Sequence, residues 1–107
     1  MRPRLAIAAA IAGALVAGAA QAQKPRVQVD CLAWANFGAS IAEFREVGAP
    51  LPGILSYIGR RHPAGLLRTA LEREARRVYG QGRAPEDARA DAYRRCQDYL
   101  GEIPVEG

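Results

Sequence analysis

Residues 31–48, CLAWANFGASIAEFREVG, decide the fold of this 107-residue chain. The large apolar residues of this stretch recur at steps of three or four, the period of one face of a helix. They are Cys31, Trp34, Phe37, Ile41 and Phe44. Asp30 is a preferred N-cap residue, and Gly48 suits the left-handed position that ends a helix. The stretch therefore predicts a helix from Cys31 to Val47.

Three further segments carry helical signals. A short helix is expected over 52–62, with apolar residues on one face and Pro63 behind it, because the residue before a proline avoids the helical region. A longer helix runs from residue 64 or 65 to residue 79, and a last one begins at Pro85 and ends before Gly101. No segment alternates apolar and polar residues as a strand would. The sequence thus predicts an all-α bundle of three to four helices over 30–101, followed by a loose tail over 102–107.

The N-terminus has the three parts of a secretory signal peptide. Arg2 and Arg4 form a positive start, residues 5–20 are uncharged and apolar, and a small-residue site ends at Ala22. An uncleaved anchor is the alternative, but the apolar run is shorter than the about 20 residues that a membrane-spanning helix needs. We therefore expect a signal peptide over 1–22, cleavage between Ala22 and Gln23, a polar tether over 23–29, and a mature chain that is periplasmic or secreted.

The mature chain keeps two cysteines, Cys31 and Cys96. An even number of cysteines in an exported protein predicts disulfides, and two cysteines allow a single pairing. A redox-active pair is the alternative, but such pairs usually lie close together as Cys-x-x-Cys. We predict a structural disulfide between the start of the first helix and the late part of the last one.

The charge of the mature chain is nearly balanced. Loss of Arg2 and Arg4 reduces the 15 Lys and Arg residues to 13, against 11 Asp and Glu, for a net charge of +2. This balance argues against a nucleic-acid partner, although contact with an anionic envelope surface stays open. We expect no metal or other cofactor, because His62 is the sole histidine and a zinc site needs three or four ligands.

A few side chains are candidates for surface contacts. Two basic pairs and one aromatic residue off the apolar stripe of the last helix form this set: Arg60, Arg61, Arg76, Arg77 and Tyr93. A solvated helix face is the simpler interpretation of such charge runs. The larger aromatic residues could line a groove for an apolar ligand or an unfolded client, but their helical spacing favours the core; they are Trp34, Phe37, Phe44 and Tyr57. An acidic group, Glu86, Asp87 and Asp91, is explained by the positive end of the last helix rather than by acid–base catalysis.

Several short motifs occur together in this chain: the signal peptide, Cys31 at a helix start, Arg45-Glu46-Val47-Gly48 at its end, Val78-Tyr79 and Cys96. In this combination the chain resembles the small two-cysteine exported helical proteins of proteobacteria. This resemblance implies a fold and a compartment but no activity. The chain is also similar, at the level of fold, to the HdeA-like acid-stress chaperones of the periplasm, which are small, helical and held by one disulfide; here Cys31 and Cys96 match in role only.

No catalytic motif is apparent, so we expect a non-enzymatic protein. The favoured role is protein interaction in the cell envelope, in a stress or chaperone-like capacity, with an unknown protein partner or client. One alternative is an accessory subunit that docks on a larger envelope complex through an apolar helix face. A small hydrolase or redox enzyme is the remaining alternative, which would show a pocket with convergent polar groups.

Overall fold

A computed structural model of the protein describes residues 25–105. The signal peptide over 1–22 and the cleavage site between Ala22 and Gln23 lie outside the described residues, so both stay predictions. Within residues 25–105, no helix has both the length and the apolar character needed to cross a membrane.

The described residues form four helices and two short strands. The all-α prediction is confirmed, and each helix begins and ends within about two residues of its predicted limits. In chain order the elements are β1 (Arg26–Gln28), α1 (Cys31–Glu46), α2 (Leu51–Arg61), α3 (Leu66–Gln81), α4 (Pro85–Asp98) and β2 (Glu102–Pro104).

Helix α1 packs most extensively against α4, and small residues make the close approach possible. The Asp30 side chain caps α1 by accepting a hydrogen bond from the Ala33 amide at 3.1 Å. A Cβ atom added to Gly38 would lie only 3.2 Å from the Ala92 Cβ, so the two helix backbones are nearly in contact there. The predicted disulfide between Cys31 and Cys96 is confirmed and joins these same two helices.

The two strands correct the expectation that the chain contains none. Arg26–Gln28 and Glu102–Pro104 pair antiparallel, with Val27 opposite Ile103. The described parts of the predicted tether and loose tail are therefore ordered against each other, and Ile103 is buried. Strands of three residues are too short to show an alternating pattern, and their pairing joins distant parts of the chain, so local sequence carries no signal of it.

Gly101 makes the turn from α4 into β2. It has a φ of 77° and its carbonyl accepts a hydrogen bond of 2.8 Å from the Val29 amide. A Cβ atom at this position would lie 3.0 Å from the Val29 carbonyl oxygen. Glycine is the residue that tolerates both the left-handed backbone and the close approach.

Candidate functional site

An open apolar groove lies between α1 and α2. It has a volume of about 900 Å³ and is floored by Ile41, Ile54 and Ile58. Its rim includes Phe44 and Val47, which are 45% and 80% exposed. We call this feature the α1–α2 groove. Apolar patches of this kind on a folded surface usually mark interaction sites.

The groove corrects the prediction that all four large aromatic residues belong to the core. Trp34 is buried and Phe37 half-buried, but Phe44 and Tyr57 are 45% and 44% exposed. Three residues at about 100° each leave Phe44 about 60° short of a full turn from Ile41, on the side away from the buried small residues of α1. That face is centred instead on buried small residues, of which Gly38 lies against Ala92 of α4; they are Ala35, Gly38, Ala39 and Ala42.

One end of the groove is basic. Arg60 and Arg61, the last residues of α2, line this end together with His62, which caps the helix. The Arg61 guanidinium stacks on the Tyr57 ring at 4.8 Å from the ring centre, and Arg60 donates a hydrogen bond of 2.7 Å to Ser56 Oγ. Glu43 of α1 is the acidic residue that lines the groove. Two of the predicted surface cations, Arg60 and Arg61, thus lie at the edge of an apolar groove.

The remaining candidates are scattered. Arg77 lies on α3 with its Nε 3.8 Å from Glu74 Oε1, and Arg76 is exposed; neither residue lines the α1–α2 groove. Tyr93 is 43% exposed beside Leu32, in a shallow depression between α1 and α4. The five residues therefore do not form one surface, and a contact role for any of them stays a prediction.

A buried ion-pair cluster, which the sequence analysis does not predict, lies between α3 and α4. Glu74 is only 3% exposed and accepts two hydrogen bonds from the Arg95 guanidinium, at 3.0 and 2.7 Å. Arg95 Nε also donates to Asp91 at 3.0 Å, and Arg94 donates to the same carboxylate at 2.8 Å. Asp91 therefore acts in this cluster rather than with the exposed acids at the α4 N-terminus. The available signal was the position of Glu74 between Leu71 and Val78 on the apolar stripe of α3.

The environment of Arg95 keeps it charged. Burial works to lower the pKa of the guanidinium, but the hydrogen bonds and negative charge of Glu74, followed by those of Asp91, outweigh it and raise the pKa above its ordinary value. Two carboxylates bonded to arginine in this way are suited to holding α3 and α4 together. They are not suited to proton transfer, because a general base must be open to its substrate.

The motifs behind the family resemblance meet in space. Arg45, at the end of α1, donates a hydrogen bond of 2.8 Å to the Val78 carbonyl on α3, and also bonds the Arg83 carbonyl. The Tyr79 hydroxyl donates to the Ala49 carbonyl at 2.6 Å. These contacts fix the end of α1 and the following turn against α3, so the motifs have a structural role.

Among the residues that the structure describes, no group of three or more His, Cys, Asp or Glu residues is placed to bind a metal ion.

Comparison with known proteins finds no matching family model, no matching curated protein and no matching solved structure.

Proposed function

We propose that this protein is an exported, non-enzymatic binding protein, and that the α1–α2 groove holds an apolar helical segment of a protein partner. The observation that carries the proposal is the exposure of Phe44, Val47 and Tyr57 around one groove of the folded domain. An amphipathic helix laid in a hydrophobic groove is a common mode of peptide recognition.

The charges at the groove favour one orientation of the partner segment. Arg60 and Arg61 lie at one end, where the negative end of the α2 dipole is partly offset by their charge. A partner segment with acidic residues at the matching end would pair with them, whereas a basic segment would be repelled. Such complementarity sets orientation and specificity more than affinity.

The groove supports the docking form of the proposal over the chaperone-like form. An acid-stress chaperone needs its apolar surface to open when the fold loosens at low pH. Here the apolar surface is already present in the folded state, which is what a docking subunit requires. We therefore propose that the protein is a subunit or ligand of a larger envelope protein, in the periplasm or outside the cell as the signal peptide predicts.

Site-specific photo-crosslinking in the native host tests the groove. A benzoylphenylalanine is placed at Val47, on the groove, and in a matched variant at Leu100, which is 88% exposed but away from the groove. We expect a discrete adduct from the Val47 position and none of the same mass from Leu100. Equal labelling from both positions, or no adduct from either, contradicts the proposal.

The adduct then gives a partner for an affinity measurement. Burial of a phenylalanine side chain contributes about 1.5–3 kcal/mol, so Phe44→Ser should weaken binding about tenfold to a hundredfold. Leu100→Ser is the control and should leave the affinity unchanged. Because Phe44 is half exposed, its loss should change the stability of the fold little, which circular dichroism checks.

Export is tested separately by intact mass. Protein recovered from the periplasm should begin at Gln23 and be two hydrogens lighter than its reduced form, with no thiol open to alkylation. A full-length mass or an alkylated cysteine would overturn the assignment of compartment.

A further inference from the structure

The turn between α2 and α3 presents apolar side chains to the solvent. Residues 62–65 connect the two helices, and all but the first of them are exposed. Leu66 and Leu67, which follow at the start of α3, are 45% and 41% exposed. A Cβ atom added at Gly65 would meet no other atom within 4 Å, so the turn is open at this point. We call residues 60–67 the α2–α3 tip.

The two leucines of the tip do not serve the core or the start of the helix. Neither Leu66 nor Leu67 belongs to the core cluster of the described residues, and neither lines the α1–α2 groove. The first turn of a helix favours acidic residues, but the first turn of α3 has none. Apolar residues grouped on a folded surface mark contacts with proteins or with membranes.

The two arginines of the tip have neutral partners. Arg60 donates its hydrogen bond to the Ser56 hydroxyl, and the Arg61 guanidinium stacks on the Tyr57 ring. Among residues 25–105, neither arginine forms an ion pair with a carboxylate. Both positive charges are therefore available to a ligand of opposite charge.

The chain around the tip adds no free negative charge. Residues 47–71, which include α2, the tip and the first turn of α3, contain no Asp or Glu. Arg68 lies just beyond the tip, but its Nε is 3.6 Å from Glu72 Oε2, so these two charges balance each other. The tip thus combines two free cations with exposed apolar side chains, and both features strengthen binding to an anionic membrane surface.

We propose that the α2–α3 tip binds the surface of an anionic phospholipid membrane. Leu66 and Leu67 enter the boundary between headgroups and acyl chains, while Arg60 and Arg61 contact the headgroup phosphates. The methylene stem of an arginine packs along apolar surface and leaves its guanidinium at the polar layer. This inference does not depend on a partner in the α1–α2 groove, although Arg60 and Arg61 lie where the tip and the groove meet.

Vesicle flotation tests the proposal with the mature, oxidised chain. One set of vesicles contains phosphatidylglycerol and phosphatidylcholine in equal parts, and the other contains phosphatidylcholine alone. We expect binding to the first set, little binding to the second, and weaker binding as added salt screens the charges. Equal binding to both sets, or binding to neither, overturns the proposal.

Single charge variants test whether the tip is the part that binds. Arg60→Gln removes a cation of the tip and should weaken binding to the phosphatidylglycerol vesicles about fivefold. Arg76→Gln removes an exposed cation from α3 outside the tip and should change the binding less than about twofold. Equal effects of the two substitutions would show a general charge effect and would overturn the proposal.

The leucines are tested in a double variant, Leu66→Gln with Leu67→Gln. Each leucine is about half exposed, so the two together bury about one further leucine side chain in the membrane. The double variant should therefore bind about tenfold to a hundredfold more weakly. Leu100→Gln is the control and should bind like the wild type, and circular dichroism checks that each variant is folded. A double variant that is folded and binds like this control contradicts the proposal.

A tryptophan reporter locates the contact while the tip stays apolar. Leu67→Trp places the reporter at the tip, and Leu100→Trp is the matched variant outside it. Phosphatidylglycerol vesicles with bromine on their acyl chains should quench the Leu67→Trp emission but not that of Leu100→Trp or of the buried Trp34. Equal quenching of both variants, or none of Leu67→Trp, overturns the proposal. Crosslinking from Val47 tests the groove separately, so failure of one proposal leaves the other standing.

Discussion

Removing Arg95 should destabilise this protein more than the loss of any exposed charge. Its guanidinium bonds Glu74 twice and Asp91 once, and both carboxylates are buried. In an Arg95→Met variant both hydrogen bonds to Glu74 are lost, although Arg77 Nε stays 3.8 Å from Glu74 Oε1. Removing one partner of a buried ion pair costs about 3–5 kcal/mol.

This loss is large compared with the total free energy of unfolding. At about 0.05–0.15 kcal/mol per residue, a domain of this length has about 4–12 kcal/mol to lose. The Arg95→Met variant is therefore expected to be only marginally stable at room temperature. The Arg95→Lys variant keeps the charge but loses the bidentate hydrogen bond to Glu74, and it should fold. Urea denaturation followed by Trp34 fluorescence measures both, and the wild type provides the reference slope.

A double-mutant cycle gives the sharper test. When Glu74→Leu is combined with Arg95→Met, no charge is left unpaired at Glu74, so the double variant should recover much of the stability lost in the single one. Asp91 keeps its hydrogen bond from Arg94 at 2.8 Å in every variant. We expect a coupling energy of about 2–3 kcal/mol. Additive effects, with a coupling below about 0.5 kcal/mol, would refute the reasoning that Glu74 and Arg95 form a buried pair.

Three further outcomes are expected. Replacing Cys31 and Cys96 together by serine should lower the free energy of unfolding by about 4 kcal/mol in the chain-entropy model, measured by urea denaturation against the oxidised wild type; a loss below about 1 kcal/mol would contradict it. Tyr79→Phe removes the hydrogen bond to the Ala49 carbonyl and should cost about 1–2 kcal/mol in the same assay, with Tyr93→Phe as an exposed control. Because the pKa of Arg95 is raised, the stability that its charge contributes is fully present below the pKa of the unfolded chain and is lost only as the pH rises through the higher pKa of the folded state. The difference in unfolding free energy between the wild type and Arg95→Lys should therefore stay constant from about pH 7 to about pH 10, and a steady change across that range would count against the assignment.

The helices of this protein could be predicted from local sequence. Periodic apolar residues, the Asp30 cap and the positions of Pro85 and Gly48 are local signals, and a helix depends mainly on contacts within one or two turns. The disulfide was predictable for a different reason, since two cysteines in a chain that is predicted to be exported allow only one bridge. The sequence also identified the basic residues at the end of α2 as candidates for surface contacts. It did not predict the groove beside them.

Tertiary structure alone decided which faces are buried. The face of α1 that meets α4 is the one with small residues, so Phe44 is left at the rim of a groove although it continues the aromatic spacing. Pairing of β1 with β2 and the hydrogen bond that Arg95 donates to Glu74 join residues that are distant in sequence. Periodicity shows that a helix has an apolar face, but burial depends on what another element brings against that face, and only the packed chain settles it.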